Sequence, residues 1–429
     1  MGSALFYAPK ASAQAHADIR TYLSSLGTIR VFFSNTPNQG HQISSIRLME
    51  RFRELGFGGE FEILADESTL RKFKFLIPAY DGNSEFSAPN LGRMRILPWT
   101  MPQTRAPLGI TGGADTQDQW LQAMLNSDAI LHLQPFNWNE SQKFIVNGLS
   151  YSLDDLRQSD FSANPYLRDP IALLDSEMSN HPEMQTKVSG LREFYRHLEN
   201  VELLPVYGLQ RSFNTSETVL NLYKGIRASS EIEPGFWKKP ILIPVFGSDF
   251  PPSITFDVWG LKSASITDPN LGERIGTMKP GEILYIEMGF VTPNIFSSIF
   301  ARQTLPCVLE GKNTIALMRQ MGLPFIQLRG ETGDLKGGQT DIHEEALRFI
   351  EPIFSIFKKG PRWNDTLLSK TQAQDFYNFF KAARDRRSTM SQFFASLKPQ
   401  GPDKVIKALQ RMLDAMRGRP AATCSELFH

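Results

Sequence analysis

Apolar positions along this chain switch between two periodicities, and each switch marks an element. Residues 29–35 (IRVFFSN) are a β-branched and aromatic run closed by the turn-forming TPNQG, which predicts a buried strand. In the next segment Ile43, Ile46, Leu48, Met49, Phe52 and Leu55 fall on one helical face, and Gly56, Gly58 and Gly59 end it. Residues 61–64 (FEIL) return as a strand. Strand, loop, helix and strand in close succession make a βαβ unit, and with it a parallel, doubly wound sheet.

Further strands are expected over 72–80 (KFKFLIPAY), 93–99, 128–136 and 201–209, with helices at the end of 111–125, after Asp169 and over 216–226. Residues 231–240 (EIEPGFWKKP) read as a linker. A second series follows, with strands over 241–250, 282–290, 306–309 and 325–328, then a helix over 344–358 that Pro352 kinks. Amphipathic helices fill 371–417. The expected fold class is α/β: two doubly wound, Rossmann-like domains (residues 28–230 and 236–370) facing a cleft, with a helical C-terminal tail (371–429) that caps the assembly or crosses back to the first domain.

Composition narrows the function classes. The 429 residues are 41% hydrophobic and 11% aromatic, which suits large cores rather than disorder. With 46 basic and 45 acidic residues the net charge is +1, so no global field draws nucleic acid or an anionic membrane. Cys307 and Cys424 cannot make a disulfide framework or a zinc cluster, and Cys307 reads as a small core residue. No run reaches the roughly 18 apolar residues of a membrane helix, and the N-terminus lacks a signal-peptide pattern. Phe6 stands where myristoylation wants Ser or Thr. The expectation is a cytoplasmic protein, with export as an effector left open.

The most informative window begins at Cys307: strand, a turn with Glu310, Gly311, Lys312, Asn313 and Thr314, a helix, then a strand opened by Pro324. Such turns set backbone N–H groups at a helix N-terminus, where the dipole favours a phosphate. With the preceding GFVTPNIFSSIFARQ (289–303), the order resembles the nucleotide-sugar half of GT-B glycosyltransferases, whose C-terminal domain carries HGGxNTxxEAxxxGxP. Glu310 and Gly311 fall on the glycine pair, Asn313 and Thr314 on the Asn-Thr, and Gly322 and Pro324 on the later Gly-x-Pro. The resemblance implies that Glu310, Gly311, Asn313 and Thr314 touch the donor diphosphate or sugar; helix capping alone also suits Gly-x-Asn-Thr. Leu317 stands where uridine-nucleotide families often keep a ribose-binding glutamate.

Other loops fit the same resemblance. Gly40-His41 resembles the N-domain GxxGH loop, which makes Gly40 a close-approach glycine and His41 a candidate base for an acceptor hydroxyl; a helix cap is the plainer role. Gly247 and Ser248 match a Gly-Ser loop that meets donor phosphate, and Gln339 and Asp341 stand for the pair that holds the donor sugar.

Competing chemistries lack their signatures. The seven histidines show no metal spacing, and there is no Walker loop, no G-x-S-x-G elbow and no Asp-x-Asp clamp. The sequence is expected to encode a metal-independent glycosyltransferase with no cofactor. Its partners are a nucleotide-sugar donor and a protein, glycan or small-molecule acceptor. A nucleotide-sugar epimerase or hydrolase of the same fold is the alternative, as is a non-catalytic binding protein.

Overall fold

The computed structural model describes residues 10–35, 40–98, 100, 104–113, 117–134, 142–156, 169–208, 215–247, 261–309, 312–327, 341–359, 368–398 and 403–418. The chain forms two compact units: Met1–Ala163 with Pro399–His429, and Asn164–Lys398.

The first unit holds an eight-stranded sheet built from β1 (Thr28–Phe32), β2 (Glu60–Leu64), β3 (Glu85–Ala88), β4 (Gly92–Leu97), β5 (Ala106–Thr111), β6 (Ser127–His132), β7 (Lys143–Val146) and β8 (Leu149–Ser152). Its order is β3-β4-β2-β1-β5-β6-β7-β8. The central β4-β2-β1-β5-β6 are parallel, and β3, β7 and β8 extend the edges antiparallel. The chain therefore winds outward from β1 through β2 to β4, then restarts at β5 on the other side of β1. That reversal is the switch point of the sheet.

Strand alternation sorts the core. Ile29 and Val31 of β1 join the larger cluster with Phe52, Phe73, Leu409 and Met412 from helices Gly40–Glu54, Glu67–Leu76 and Lys404–Met416. Phe32 faces the opposite side, where Leu121 and Leu125 of helix Asp118–Leu125 cover it. On that second face Arg30 is fully buried, with Nε and Nη2 donating to Glu62 Oε2 at 3.0 and 2.7 Å and Nη1 to Leu125 O at 2.8 Å. A buried pair of this kind holds only because its hydrogen bonds are complete.

The second unit contains a seven-stranded sheet that is parallel throughout: β9 (Glu202–Leu203), β10 (Val206–Tyr207), β11 (Ile241–Phe246), β12 (Lys262–Ser265), β13 (Ile283–Gly289), β14 (Cys307–Leu309) and β15 (Phe325–Gln327). The order is β12-β13-β11-β10-β14-β15, with β9 also on β11. β9 and β10 are one strand interrupted at Leu204-Pro205; Leu204 N still reaches Leu242 O at 3.0 Å, and Val308 N reaches Pro205 O at 3.0 Å. Here the winding reverses between β10 and β14. Both units are thus doubly wound and Rossmann-like, as the alternating periodicities implied.

Several expectations need correction. Residues 72–80 do not form a strand, since Lys72–Leu76 closes helix Glu67–Leu76. Asp66 caps that helix by accepting from Thr69 N at 2.8 Å, and Leu70, Phe73, Leu76 and Ile77 repeat at helical spacing beneath the Lys-Phe alternation. The 231–240 segment lies inside the second unit rather than joining two: Phe236 and Trp237 are buried, and Trp237 Nε1 donates to Ile226 O at 3.0 Å. The expected 371–429 tail also divides. Helices Lys370–Arg384 and Thr389–Ser396 belong to the second unit, and helix Lys404–Met416 packs in the first. Helix Lys10–Ser25 and the β7-β8 hairpin add to the first unit, the hairpin turning through Asn147-Gly148 at φ +52° and +77°.

Candidate functional sites at the carboxyl ends of the strands

Ligands of open α/β sheets bind beyond the carboxyl ends of the strands, at the switch point. In the first unit that place is the end of β1 beside the end of β5. Ser34 is half-buried and Asn35 exposed just past β1, and helix Gly40–Glu54 starts after it. Gly40 and His41 occupy the first turn of this helix, both half-buried.

The partner strand ends in Thr111-Gly112-Gly113, which sequence reading passed over as the opening of a loop. A Cβ on Gly112 would stand 2.6 Å from Ser44 C and Ser45 N, so only glycine lets the helix approach this close. Gly112 N donates to Ser45 Oγ at 3.0 Å, and Gly113 N to Thr111 Oγ1 at 3.0 Å. Gly113 O accepts from His132 Nε2 at 2.7 Å and from Gln134 Nε2 at 2.9 Å. Because a carbonyl only accepts, this bond requires a proton on His132 Nε2. Lys404 Nζ then donates to Gln134 O at 3.3 Å, tying the last helix to the same edge. Gln42, Ser44, Ser45, Thr111, His132 and Lys404 are all buried here. This is a dense polar cluster, separate from the buried Arg30–Glu62 pair on the other face of the sheet.

Charge at this edge is uneven. Asp66, past β2, accepts from Thr69 N, and Ser68 Oγ lies 3.1 Å from Asp66 Oδ1 and 2.8 Å from Asn35 Oδ1. Burial pushes the Asp66 carboxyl upward, but these hydrogen bonds outweigh it and hold it below its ordinary range.

The second unit's switch point lies where Tyr207 pairs in register with Leu309. The β14 strand is wholly buried, and Lys312 opens helix Lys312–Met321 three residues after its end. The helix that opens within the window singled out from sequence therefore starts at the reversal of the second sheet. Thr314 is the third residue of that helix and is buried. Asn313 lies in the same first turn and Asp341 opens helix Asp341–Lys359; both are described through their backbone alone. Glu310, Gly311, Ser248 and Gln339 lie outside the described residues. Leu317 is buried on the core side of its helix, so it brings no polar group to the edge.

At the end of β11, Gly247 has φ +85° and its N–H donates to Gly289 O at 3.0 Å. That left-handed conformation favours glycine, while a Cβ there would meet nothing within 4 Å. Sequence reading missed Phe290, which follows β13 and is 57% exposed. Lys187 Nζ secures it by donating to Met288 O at 2.9 Å and Phe290 O at 2.6 Å. Burial lowers the Lys187 pKa, and Glu287 partly restores it. Cys307 is fully buried and its thiol is pushed well up by burial, as befits an inert core residue.

No family model matches the chain, and no curated protein does. Among solved structures, it is similar to an α,α-trehalose-phosphate synthase (UDP-forming) from Burkholderia xenovorans in complex with glucose-6-phosphate, at 11% identity and a TM-score of 0.28 over 95% of this chain and 76% of that one. A second is the α,α-trehalose 6-phosphate synthase of Burkholderia multivorans, at 9% identity and 0.29 over 96% and 76%. A third is the E. coli trehalose-6-phosphate protein bound with UDP-2-fluoro glucose, at 9% identity and 0.27 over 87% and 100%. Likeness at that level assigns no residue roles.

Proposed function

We propose that this chain is a GT-B-type glycosyltransferase, with a nucleotide-sugar donor on the second unit and an acceptor on the first. The observation that carries the reading is topological. The two turns singled out by residue type, Gly40-His41 and Lys312-Asn313-Thr314, each open a helix at the switch point of a doubly wound sheet.

On the donor side, the amides opening helix Lys312–Met321 and the Thr314 hydroxyl meet the diphosphate, and Gly247 lets backbone come close. Phe290 offers an exposed ring, secured by Lys187, on which a flat base can stack. Glu310, Gly311, Asn313, Ser248, Gln339 and Asp341 are assigned to the donor by resemblance of sequence alone. On the acceptor side, His41 takes the proton of the attacking hydroxyl while the bond from sugar to diphosphate breaks and the bond to the acceptor forms. The sequence has no Asp-x-Asp clamp, and the reading gives no step to a metal.

The buried Leu317 favours a second reading, a nucleotide-binding protein without transferase activity, because no carboxylate at that position holds a ribose. Thermal-shift titration of the whole chain with UDP-, GDP- and dTDP-sugars tests both. A ligand that binds only the folded state raises the midpoint. A shift accompanied by release of nucleoside diphosphate supports the transferase, a shift without turnover supports the binding protein, and no shift at millimolar ligand overturns both.

A further inference from the structure

Of the two polar atoms in the Gln42 side chain, one is partnered. The side chain is fully buried, and Nε2 donates to Ser34 O at 2.7 Å, which places the carboxamide at the carboxyl end of β1. Its Oε1 is equally buried and accepts no hydrogen bond from the described residues. The amide orientation is not arbitrary, since turning it over would set Oε1 against the Ser34 carbonyl, two acceptors face to face. A buried oxygen left unmet is destabilising, and native structures keep few of them. This one stands on the first turn of a helix at the switch point of its sheet.

The missing partner is a hydrogen-bond donor. Phosphate and carboxylate groups supply acceptors only, so neither completes Gln42. The neighbourhood agrees with that exclusion. The Asp66 carboxylate caps helix Glu67–Leu76 and reaches Asn35 through Ser68, which sets a negative charge past the end of β1, while the Lys404 ammonium at this edge is turned onto Gln134 O. The polar groups of the cluster that holds Gln42 are already committed to backbone: Thr111 Oγ1 donates to Phe32 O, Ser45 Oγ accepts from Gly112 N, His132 Nε2 donates to Gly113 O and Lys404 Nζ to Gln134 O. Neutral groups that both donate and accept match a sugar's hydroxyls.

We propose that Gln42 reads the acceptor: its Oε1 accepts from a hydroxyl of an uncharged sugar or polyol seated at the first sheet's switch point, and a phosphorylated sugar is refused. The inference rests on the first unit being the acceptor side.

The test measures binding of glucose, maltose and glucose 6-phosphate to the whole chain by calorimetry, beside a nucleotide-sugar. Wild-type protein is expected to bind a neutral sugar at least about tenfold tighter than glucose 6-phosphate. Gln42→Met keeps the side chain's length and is expected to weaken neutral-sugar binding about three- to tenfold, as losing one neutral hydrogen bond does, with nucleotide-sugar affinity within about twofold. Equal affinity for glucose 6-phosphate, or an unchanged sugar affinity in Gln42→Met, overturns the inference. So does absence of neutral-sugar binding in a protein that still binds nucleotide-sugar, an outcome that leaves the donor reading standing. Should Gln42→Met not fold, the wild-type comparison of the three sugars decides alone. Loss of all ligand binding overturns both readings.

Discussion

Arg51 and Asp403 form an ion pair at 2.6 Å although 352 positions separate them. Asp403 also caps helix Lys404–Met416, accepting from Val405 N at 2.7 Å and Ile406 N at 3.2 Å. One carboxylate therefore starts the last helix and anchors it to the helix that carries His41 and Gln42. Arg411 adds a second anchor, with both Nη atoms on the Asp155 carboxylate.

Removing that carboxylate takes away a helix cap and leaves Arg51, largely buried, without one of its two acid partners. Asp403→Ala is expected to destabilise the first unit by about 2–4 kcal/mol. Urea unfolding followed by tryptophan fluorescence and circular dichroism measures it. A loss under about 0.5 kcal/mol, the scale of an exposed pair, would show that the contact holds nothing.

Three glycines separate close approach from mere flexibility. A Cβ on Gly190 would lie 1.7 Å from Ile266 O, and one on Gly112 would strike the Ser44–Ser45 backbone; Gly58 has nothing within 4 Å. Gly190→Ala and Gly112→Ala should each cost roughly 2 kcal/mol or more, because backbone must move. Gly58→Ala should be neutral or stabilise by about 0.4–1 kcal/mol through the unfolded chain. Equal midpoints for all three variants would refute the packing described.

These relationships explain what the sequence could disclose. Local signals survived: the run from Ile29 to Phe33, the Ile43–Leu55 helical face and the strand over Cys307–Leu309 each fold as their periodicity demands. The Lys-Phe alternation at 72–75 mimicked a strand because the deciding features, the Asp66 cap and the Leu70-Phe73-Leu76 spacing, begin upstream of it. The polar cluster at the first switch point was harder to see. Gln134 and Lys404 are 270 positions apart, and neither has a motif around it. Gln42 looked like an ordinary polar helix residue, since only the fold shows that it is buried.

Acid sensitivity has a definite sign. Burial pushes the Asp118 carboxyl upward, but hydrogen bonds from Lys143 and Ser150 and the charge of Lys143 outweigh it, so the folded pKa lies below its ordinary value. Such a group contributes stability that is present above the unfolded pKa, about 3.9, and is lost as pH falls through the folded value. Asp118→Asn should therefore lower the midpoint at pH 7 and leave it nearly unchanged at about pH 2–3. A deficit that persists undiminished in acid would show that the variant acts through packing.

On the donor side, Thr314→Val keeps the buried volume and removes the hydroxyl. Nucleotide-sugar affinity is expected to fall about three- to tenfold, with Thr314→Ser restoring most of it. Titration calorimetry on variants whose unfolding midpoints match the wild type reads this directly. Unchanged affinity in folded Thr314→Val would return the residue to helix capping.

His41 separates catalysis from binding on the other unit. It sits in the first turn of helix Gly40–Glu54, beside Gln42 in sequence and half-buried. A base acts as the acceptor oxygen attacks and contributes little to holding donor in the ground state. His41→Ala should therefore lower kcat about 10²–10⁴-fold, with donor affinity almost unchanged. The helix-cap role predicts a different pattern: a lower unfolding midpoint with kcat intact. Measuring turnover, donor affinity and midpoint on the one variant distinguishes the two. A kcat within about threefold of wild type, far short of that range, would leave His41 as a cap and direct the search for a base elsewhere on the acceptor side.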